Sequence, residues 1–324
     1  ELANWMDQLQ GHSSRQLFQS SRHESYLTLN IAAFPLSKDD RVHTALNTLM
    51  VAVRELASEQ GTHCRILGSQ ADTAVALKSQ EEQANAVRTA LENDAFHLVF
   101  QSITSLQGES VHPHDVLIRM TDSQGNELPA GRFIEAARRY RLGMAIDKWV
   151  TTKTLALLRK RDSRDAPPLV IKLSEQTLVE ADDYLDWLTQ TQALPFTPGT
   201  VIFGLRESEV EKRIKQSVAL VKRLRDTGAE VMMEHFGLSA HALQLLDHLP
   251  VQYIKFAPVF TQRMEQPEYH QQLKHLLEIA HQRKIKSIVC HVESARAMAQ
   301  LWQMGVNYIQ GYGVQEPEVV LLSA

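Results

Sequence analysis

The chain has 324 residues, 44% of them hydrophobic and 22% charged, which suits a soluble globular protein with more than one core. A formal net charge of −4 gives no basic face for duplex nucleic acid. The two cysteines, Cys64 and Cys290, make no disulfide framework, so a reducing cytoplasm is expected. No apolar run approaches ~18 residues, so no membrane span is expected in this chain. The first residue, Glu1, falls inside a helical pattern without an initiator Met, leaving room for a membrane tether upstream.

Near the start, Ala3 to Phe18 carries apolar residues at helical spacing. Tyr26 to Phe34 is β-rich and stops at Pro35. Asp39 or Asp40 is placed to cap a helix from Arg41 to about Gln60, which Gly61 closes, and Cys64–Leu67 is a short strand. Residues 68 to 95 form a polar connector ending in a helix.

From His97 the pattern changes to short apolar strands separated by helical stretches. The strands are predicted at His97–Ile103, Asp115–Met120, Leu169–Ser174, Thr200–Arg206, Glu230–Phe236, Tyr253–Phe256, Ser287–Val292 and Tyr308–Tyr312. Helices are predicted at Ala130–Tyr140, Lys148–Lys160, Ser208–Thr227, Leu243–Leu249 and Tyr269–Arg283. Eight strands alternating with helices suit an α/β fold of TIM-type (β/α)8 barrel form, whose usual size is about 250 residues. The first two strands are too close for a helical crossover, so one is expected to run antiparallel. A doubly wound sheet is the competing fold, but no Gly-rich phosphate loop follows any strand.

Barrel chemistry collects at the C-terminal strand ends. Those ends carry Gln101, Arg119, Lys172, Ser174, Arg206, Glu207, Glu234, His235, Lys255, His291, Glu293 and Gln310. Cations are prominent among them, and the carboxylates are too dispersed for a two-metal cage. A basic mouth suits an anionic ligand such as a phosphate. His235, Cys290 and His291 have zinc-ligand chemistry but no spacing motif.

At these residues the chain resembles the EAL domain family of cyclic di-GMP phosphodiesterases. Phe100-Gln-Ser-Ile103 is similar to that family's opening YQPI strand, and Asp115-Val-Leu-Ile-Arg119 takes the EALxR position. Glu234-His-Phe-Gly237 stands where the family has DDFG, and Leu249–Lys255 resembles its LPVDxIK strand. Val292-Glu293 fits the end of AEGVE, and Tyr308–Tyr312 with Pro317 fits the closing QGY…P. The departures fall on the family's metal ligands. Asp115 replaces the Glu of EAL, Lys172 an Asn, Gly204 the first Glu of ExTE, Glu234 and His235 the paired aspartates, Ala257 an Asp, and Cys290 the Glu of AEGVE.

The resemblance therefore implies a catalytically inactive barrel with no Mg²⁺ or Mn²⁺ site and no other cofactor. It implies cyclic di-GMP contacts at Gln101, Leu117, Arg119, Phe236, Lys255, Glu293, Gln310 and Pro317, the alternative being an inherited scaffold with Phe236 in the core and Arg119 in an internal ion pair. Lys255 is open between a phosphate contact and a pair with Glu207 or Glu234. Lys172 and Arg206 either hold phosphates or pair with Asp115 and Glu234 and fill the mouth. Asp147 is read as a helix or packing residue. The helix Leu243–Leu249 either helps form a homodimer surface or packs on the barrel.

Residues 1–67 resemble, more weakly, the second half of a GGDEF domain. The expected organisation is that partial domain, a connector over 68–91, and an EAL-like barrel over 92–324. The arrangement resembles tandem degenerate GGDEF–EAL receptors of the FimX type, in type IV pilus control, which implies a protein partner such as a PilZ-type adaptor. A nucleotide-independent interaction scaffold and a residual phosphodiesterase are the alternatives.

Overall fold

A computed structural model describes residues 17–20, 23–26, 30–33, 49–50, 52–53, 64–66 and 70–319, the last apart from 110, 123, 161–166 and 192–193. The chain divides into two compact units, Glu1–Glu82 and Gln83–Ala324. In the first, β1 (Leu17–Ser20) pairs antiparallel with β2 (His23–Tyr26), and β3 (Ile31–Ala33) pairs parallel with β4 (Cys64–Ile66). Leu17 and Phe18 are thus in a strand, not at the end of a helix, and the rest of the Ala3–Phe18 prediction lies outside the described residues. The Tyr26–Phe34 run is broken, with Tyr26 ending one strand and Ile31 opening another. The Arg41–Gln60 helix is described only at residues 49–50 and 52–53, which are helical. Helix α1 (Gln70–Glu92) covers most of the predicted connector, and the boundary between the units falls within it.

The second unit is the predicted barrel. A continuous strand path begins with β5 (Phe96–Ser102), then β7 (His114–Thr121), β9 (Leu169–Lys172), β10 (Val201–Arg206) and β11 (Glu230–Phe236). It continues through β12 (Tyr253–Phe256), β13 (Lys286–Val289) and β14 (Tyr308–Ile309) to β6 (Thr104–Ser105). Only Ile103 separates β5 from β6, so the first strand pairs at both ends of the path and brings the sheet round on itself. As the short loop requires, β5 runs antiparallel to β7, and β7, β9, β10, β11, β12, β13 and β14 run parallel. This closure disposes of the open doubly wound sheet. A short strand, β8 (Glu127–Pro129), extends β7 on its outer edge.

Helices follow the strands: α2 (Ile134–Arg139), α3 (Gly143–Arg159), α4 (Glu175–Val179), α5 (Ala181–Thr191), α6 (Glu207–Lys212) and α7 (Ile214–Asp226). Then come α8 (Ala242–His248), α9 (Val259–Gln262), α10 (Pro267–Gln282) and α11 (Ala295–Gln303). The single helix predicted over Ser208–Thr227 is split at Arg213, whose φ of −138° and ψ of 48° leave the helical region. Among the described residues no helix is long and apolar enough to cross a membrane.

Strand side chains alternate with period two, and both faces are buried, as parallel barrel strands require. Outward residues such as Ile171, Phe203, Val231, Ile254 and Val289 join the helices in one large core. Inward residues Ile103, Val170, Ile202, Met232, Tyr253, Ile288 and Tyr308 form a separate apolar plug inside the barrel. That plug floors the site.

Candidate functional site

Two residues beyond each plug residue, the same face presents the next layer towards the mouth. Val170 is followed by Lys172, Ile202 by Gly204, Met232 by Glu234, Tyr253 by Lys255, Ile288 by Cys290 and Tyr308 by Gln310. Asp115, in register with Val170 and Gln101, completes this layer from β7. An apolar floor thus gives way to a polar ring after one step of the pleat.

The ring closes on Asp115. Its Oδ2 accepts from Lys255 Nζ at 2.6 Å and Gln310 Nε2 at 3.0 Å, and Lys172 Nζ stands 3.0 Å away. Glu234 Oε1 lies 3.9 Å from both ammonium nitrogens. Asp115, Glu234, Lys255 and Gln310 are buried, while the Lys172 side chain is 39% exposed. Burial works against the charge on Asp115, but Lys172, Lys255 and the hydrogen bonds outweigh it and hold the carboxyl below the usual aspartate range. Burial likewise opposes the charge on Lys172, and the Asp115 and Glu234 carboxylates raise its pKa regardless. Asp115 Oδ1 and Glu234 Oε1 have no hydrogen-bond partner.

The ring gives the pairings the sequence left open. Lys172 pairs with Asp115 while 39% of its side chain stays exposed. Lys255 pairs with Asp115 at 2.6 Å and with Glu234 at 3.9 Å, while Glu207 is engaged elsewhere. Arg206 is exposed and makes no ion pair among the described residues, so its expected bridge to Asp115 or Glu234 is absent. Among the described residues no three His, Cys, Asp or Glu side chains are grouped as a metal site. Burial pushes the Cys290 thiol up, and its Sγ donates to Phe256 O at 3.4 Å.

Glu207 opens α6 at the end of β10 and ties down the next rim loop. Its carboxylate accepts from the backbone N–H of Gly237 (3.1 Å), Leu238 (3.0 Å) and Ser239 (3.1 Å). Burial raises its pKa against these hydrogen bonds. Gly237 has φ of +96°, and a Cβ there would come within 2.8 Å of Leu276, so this turn needs glycine. Just before it, the β11–β12 register shifts between Glu234 and Phe236, and His235 adopts φ of +54°. Burial first, then the Arg206 charge, lowers the His235 pKa.

That bulge moves one predicted ligand residue out of the site. Phe236 is fully buried in the outer core, with its ring 6.0 Å from that of Phe256, and offers no face to a nucleobase. Gln101 is buried and donates to Gln315 O at 3.1 Å. Arg119 stands 3.4 Å from Glu127 Oε1, whose other oxygen meets His97 Nε2 at 2.6 Å. Leu117 and Pro317 are half-buried, and Glu293 is exposed beyond β13.

Behind the rim, Asp147 is the packing residue expected. Its Oδ2 accepts from Ser174 N, Ser174 Oγ and Thr177 Oγ1, each at 2.7 Å, locking α3 to the β9–α4 turn. Ser174 also caps α4 by accepting from Thr177 N. Burial dominates at Asp147 and pushes its pKa from 3.8 up to about 6. The sequence pointed to Asp147 as structural without identifying Ser174 and Thr177 as its partners. It also missed the fit of Gly204 against Glu234 and the loop role of Glu207, since neither leaves a motif.

The EAL domain family model matches residues 84–317. Among solved structures, the barrel is similar to the FimX EAL domain of Pseudomonas aeruginosa bound to c-di-GMP. The two are 33% identical with a TM-score of 0.67, covering 73% of this chain and 96% of that one. The Vibrio cholerae LapD S helix-GGDEF-EAL chain is 18% identical with a TM-score of 0.68, covering 88% of this chain and 68% of that one, and shares the fold. Among curated proteins, the cyclic di-GMP phosphodiesterase PdeF of Escherichia coli is 22% identical over 247 residues, 76% of this chain and 33% of PdeF. PdeB of Shewanella oneidensis is 25% identical over 236 residues, 72% of this chain and 28% of PdeB. The chain spans about a third of the length of these curated relatives. On the family match and the barrel, the chain belongs to the EAL domain family.

Proposed function

We propose that this chain is a cyclic di-GMP receptor that has lost phosphodiesterase chemistry and passes nucleotide occupancy to a protein partner. The observation that carries this reading is the crowding of Asp115 Oδ2 by Lys255, Lys172 and Gln310. A divalent ion needs several hard oxygen ligands close together, and here two ammonium groups hold the carboxylate it would use. The residues do not fit the Mg²⁺ or Mn²⁺ of a phosphodiesterase, so no hydrolytic step is derived through a metal. The half-exposed Lys172 and the exposed Arg206 favour an anion at the mouth. The FimX domain bound to c-di-GMP supplies the ligand class. A PilZ-type adaptor is the partner class the resemblance implies, and the first unit is read as the close of a GGDEF-like domain.

The test of lost chemistry is incubation with cyclic di-GMP and Mn²⁺ followed by chromatography. Intact nucleotide is expected, and linear pGpG at enzymatic turnover overturns the reading. The second reading, a nucleotide-independent scaffold, draws on the internal commitment of Gln101 and Gln310 and the burial of Phe236. A partner recovered equally with and without cyclic di-GMP favours the scaffold over the receptor.

A further inference from the structure

Above the ring, a second charged cluster stands on β7, four residues beyond Asp115. Val116, Ile118 and Met120 turn to the outer core, so Arg119 shares the inward face with Asp115 and lies nearer the mouth. His97 of β5 is directly opposite Arg119, and β8 places Glu127 one pleat away, opposite Thr121. The β7–β8 turn is fixed by Asp122, whose Oδ1 accepts from the backbone N–H of Gln124 and of Asn126, each at 2.8 Å. Glu127 is thereby held between two partners, which it meets unequally. Its Oε2 accepts from His97 Nε2 at 2.6 Å, whereas its Oε1 stands 3.4 Å from Arg119 Nε. Among the described residues the one hydrogen bond of the Arg119 side chain runs from Nη1 to Ile118 O at 3.2 Å. A guanidinium carries five N–H donors, so most of them are unspent.

We infer that Glu127 is the displaceable counter-ion of Arg119: a ligand phosphate takes its place on the guanidinium, and His97 keeps the released carboxylate. This rests on the receptor reading, in which a phosphate of cyclic di-GMP meets Arg119. Arginine holds phosphate best through parallel N–H···O bonds, which the 3.4 Å contact with Glu127 does not supply. The exchange therefore replaces a loose ion pair with a hydrogen-bonded one. His97 sets how loose the pair is. Without its N–H, the Glu127 carboxylate is free to close on Arg119, and the phosphate must then displace a stronger partner. The two neighbours thus act on ligand affinity with opposite signs: Glu127 lowers it and His97 raises it.

The experiment is calorimetric titration of the full chain with cyclic di-GMP in EDTA, as wild type, Glu127→Gln, His97→Ala and the double variant. Glu127→Gln keeps the side chain's length and removes its charge, and is expected to bind about two- to fivefold more tightly, the scale of a part-exposed ion pair. His97→Ala is expected to bind more weakly than wild type. The double variant is expected to match Glu127→Gln, because His97 acts only through Glu127. A second readout needs no nucleotide: phenylglyoxal modification of Arg119, followed by peptide mass spectrometry, is expected to quicken in Glu127→Gln and to slow in His97→Ala. Should His97→Ala not fold, Glu127→Gln decides alone through both readouts. A wild type that binds, with Glu127→Gln no tighter or His97→Ala no weaker, overturns this inference and leaves the receptor reading standing. If no chain binds the nucleotide, the receptor reading falls and the phosphate exchange falls with it. Arg119 reactivity unchanged by Glu127→Gln overturns the counter-ion itself, whatever the titration shows.

Discussion

Gly204 and Glu234 occupy one space inside the barrel: a Cβ on Gly204 would stand 3.3 Å from Glu234 Cδ. The longer acid on β11 is accommodated because β10 carries no side chain beside it. The two positions are therefore sterically coupled. Gly204→Glu alone overpacks the ring and sets two carboxylates together, at a cost of about 1–3 kcal/mol. Glu234→Asp in the same chain frees the room. Urea unfolding of the four-member cycle is expected to show a coupling of at least about 1 kcal/mol. Additive effects would mean the two positions are independent.

Asp115 is the anchor of both ammonium groups. Asp115→Ala leaves the buried Lys255 without its partner, a loss of about 3–5 kcal/mol in unfolding free energy. Adding Lys255→Met to Asp115→Ala is expected to restore part of it. A single variant as stable as wild type would show that the ring carries no such pairing.

Asp147 gives a pH signature with a defined sign. Its folded pKa of about 6 lies above the ordinary 3.8, so its contribution is full below about pH 4 and is lost as pH rises through 6. The loss is on the order of 3 kcal/mol. Asn at this position keeps an acceptor and cannot ionise. The stability of wild type relative to Asp147→Asn is expected to fall between pH 4 and 7, and a constant difference contradicts the assignment.

Glu207→Ala deprives three loop amides of their acceptor. Hydrogen exchange at Gly237, Leu238 and Ser239 is expected to quicken, with a stability loss of about 1–3 kcal/mol. Glu207→Gln, which keeps one acceptor oxygen, falls between. Unchanged exchange in Glu207→Ala would remove Glu207 from the rim.

The barrel was legible because its strands are short, apolar and separated by helical stretches, with period two broken at the His235 bulge. The same alternation put Lys172, Glu234, Lys255 and Gln310 on a common face. Phe236 takes its core alternative, by a route the sequence does not show. Regular alternation from Met232 through Glu234 points Phe236 inward, but the bulge at His235 reverses the parity and sends it to the outer core. Nothing in Glu-His-Phe-Gly announces that reversal beyond the glycine after it. Short helices such as α4, with 5 residues, and α9, with 4, were missed because one turn carries no period. Partners across the ring, such as Asp115 with Gln310, lie 195 residues apart and become visible only when the sheet closes.

The central claim is nucleotide recognition without metal. Its most direct measurement is calorimetric titration of the chain with cyclic di-GMP, run once in EDTA and once in Mn²⁺. Saturable binding with the same affinity in both buffers is predicted. Binding that requires Mn²⁺, or no binding in either buffer, would contradict it.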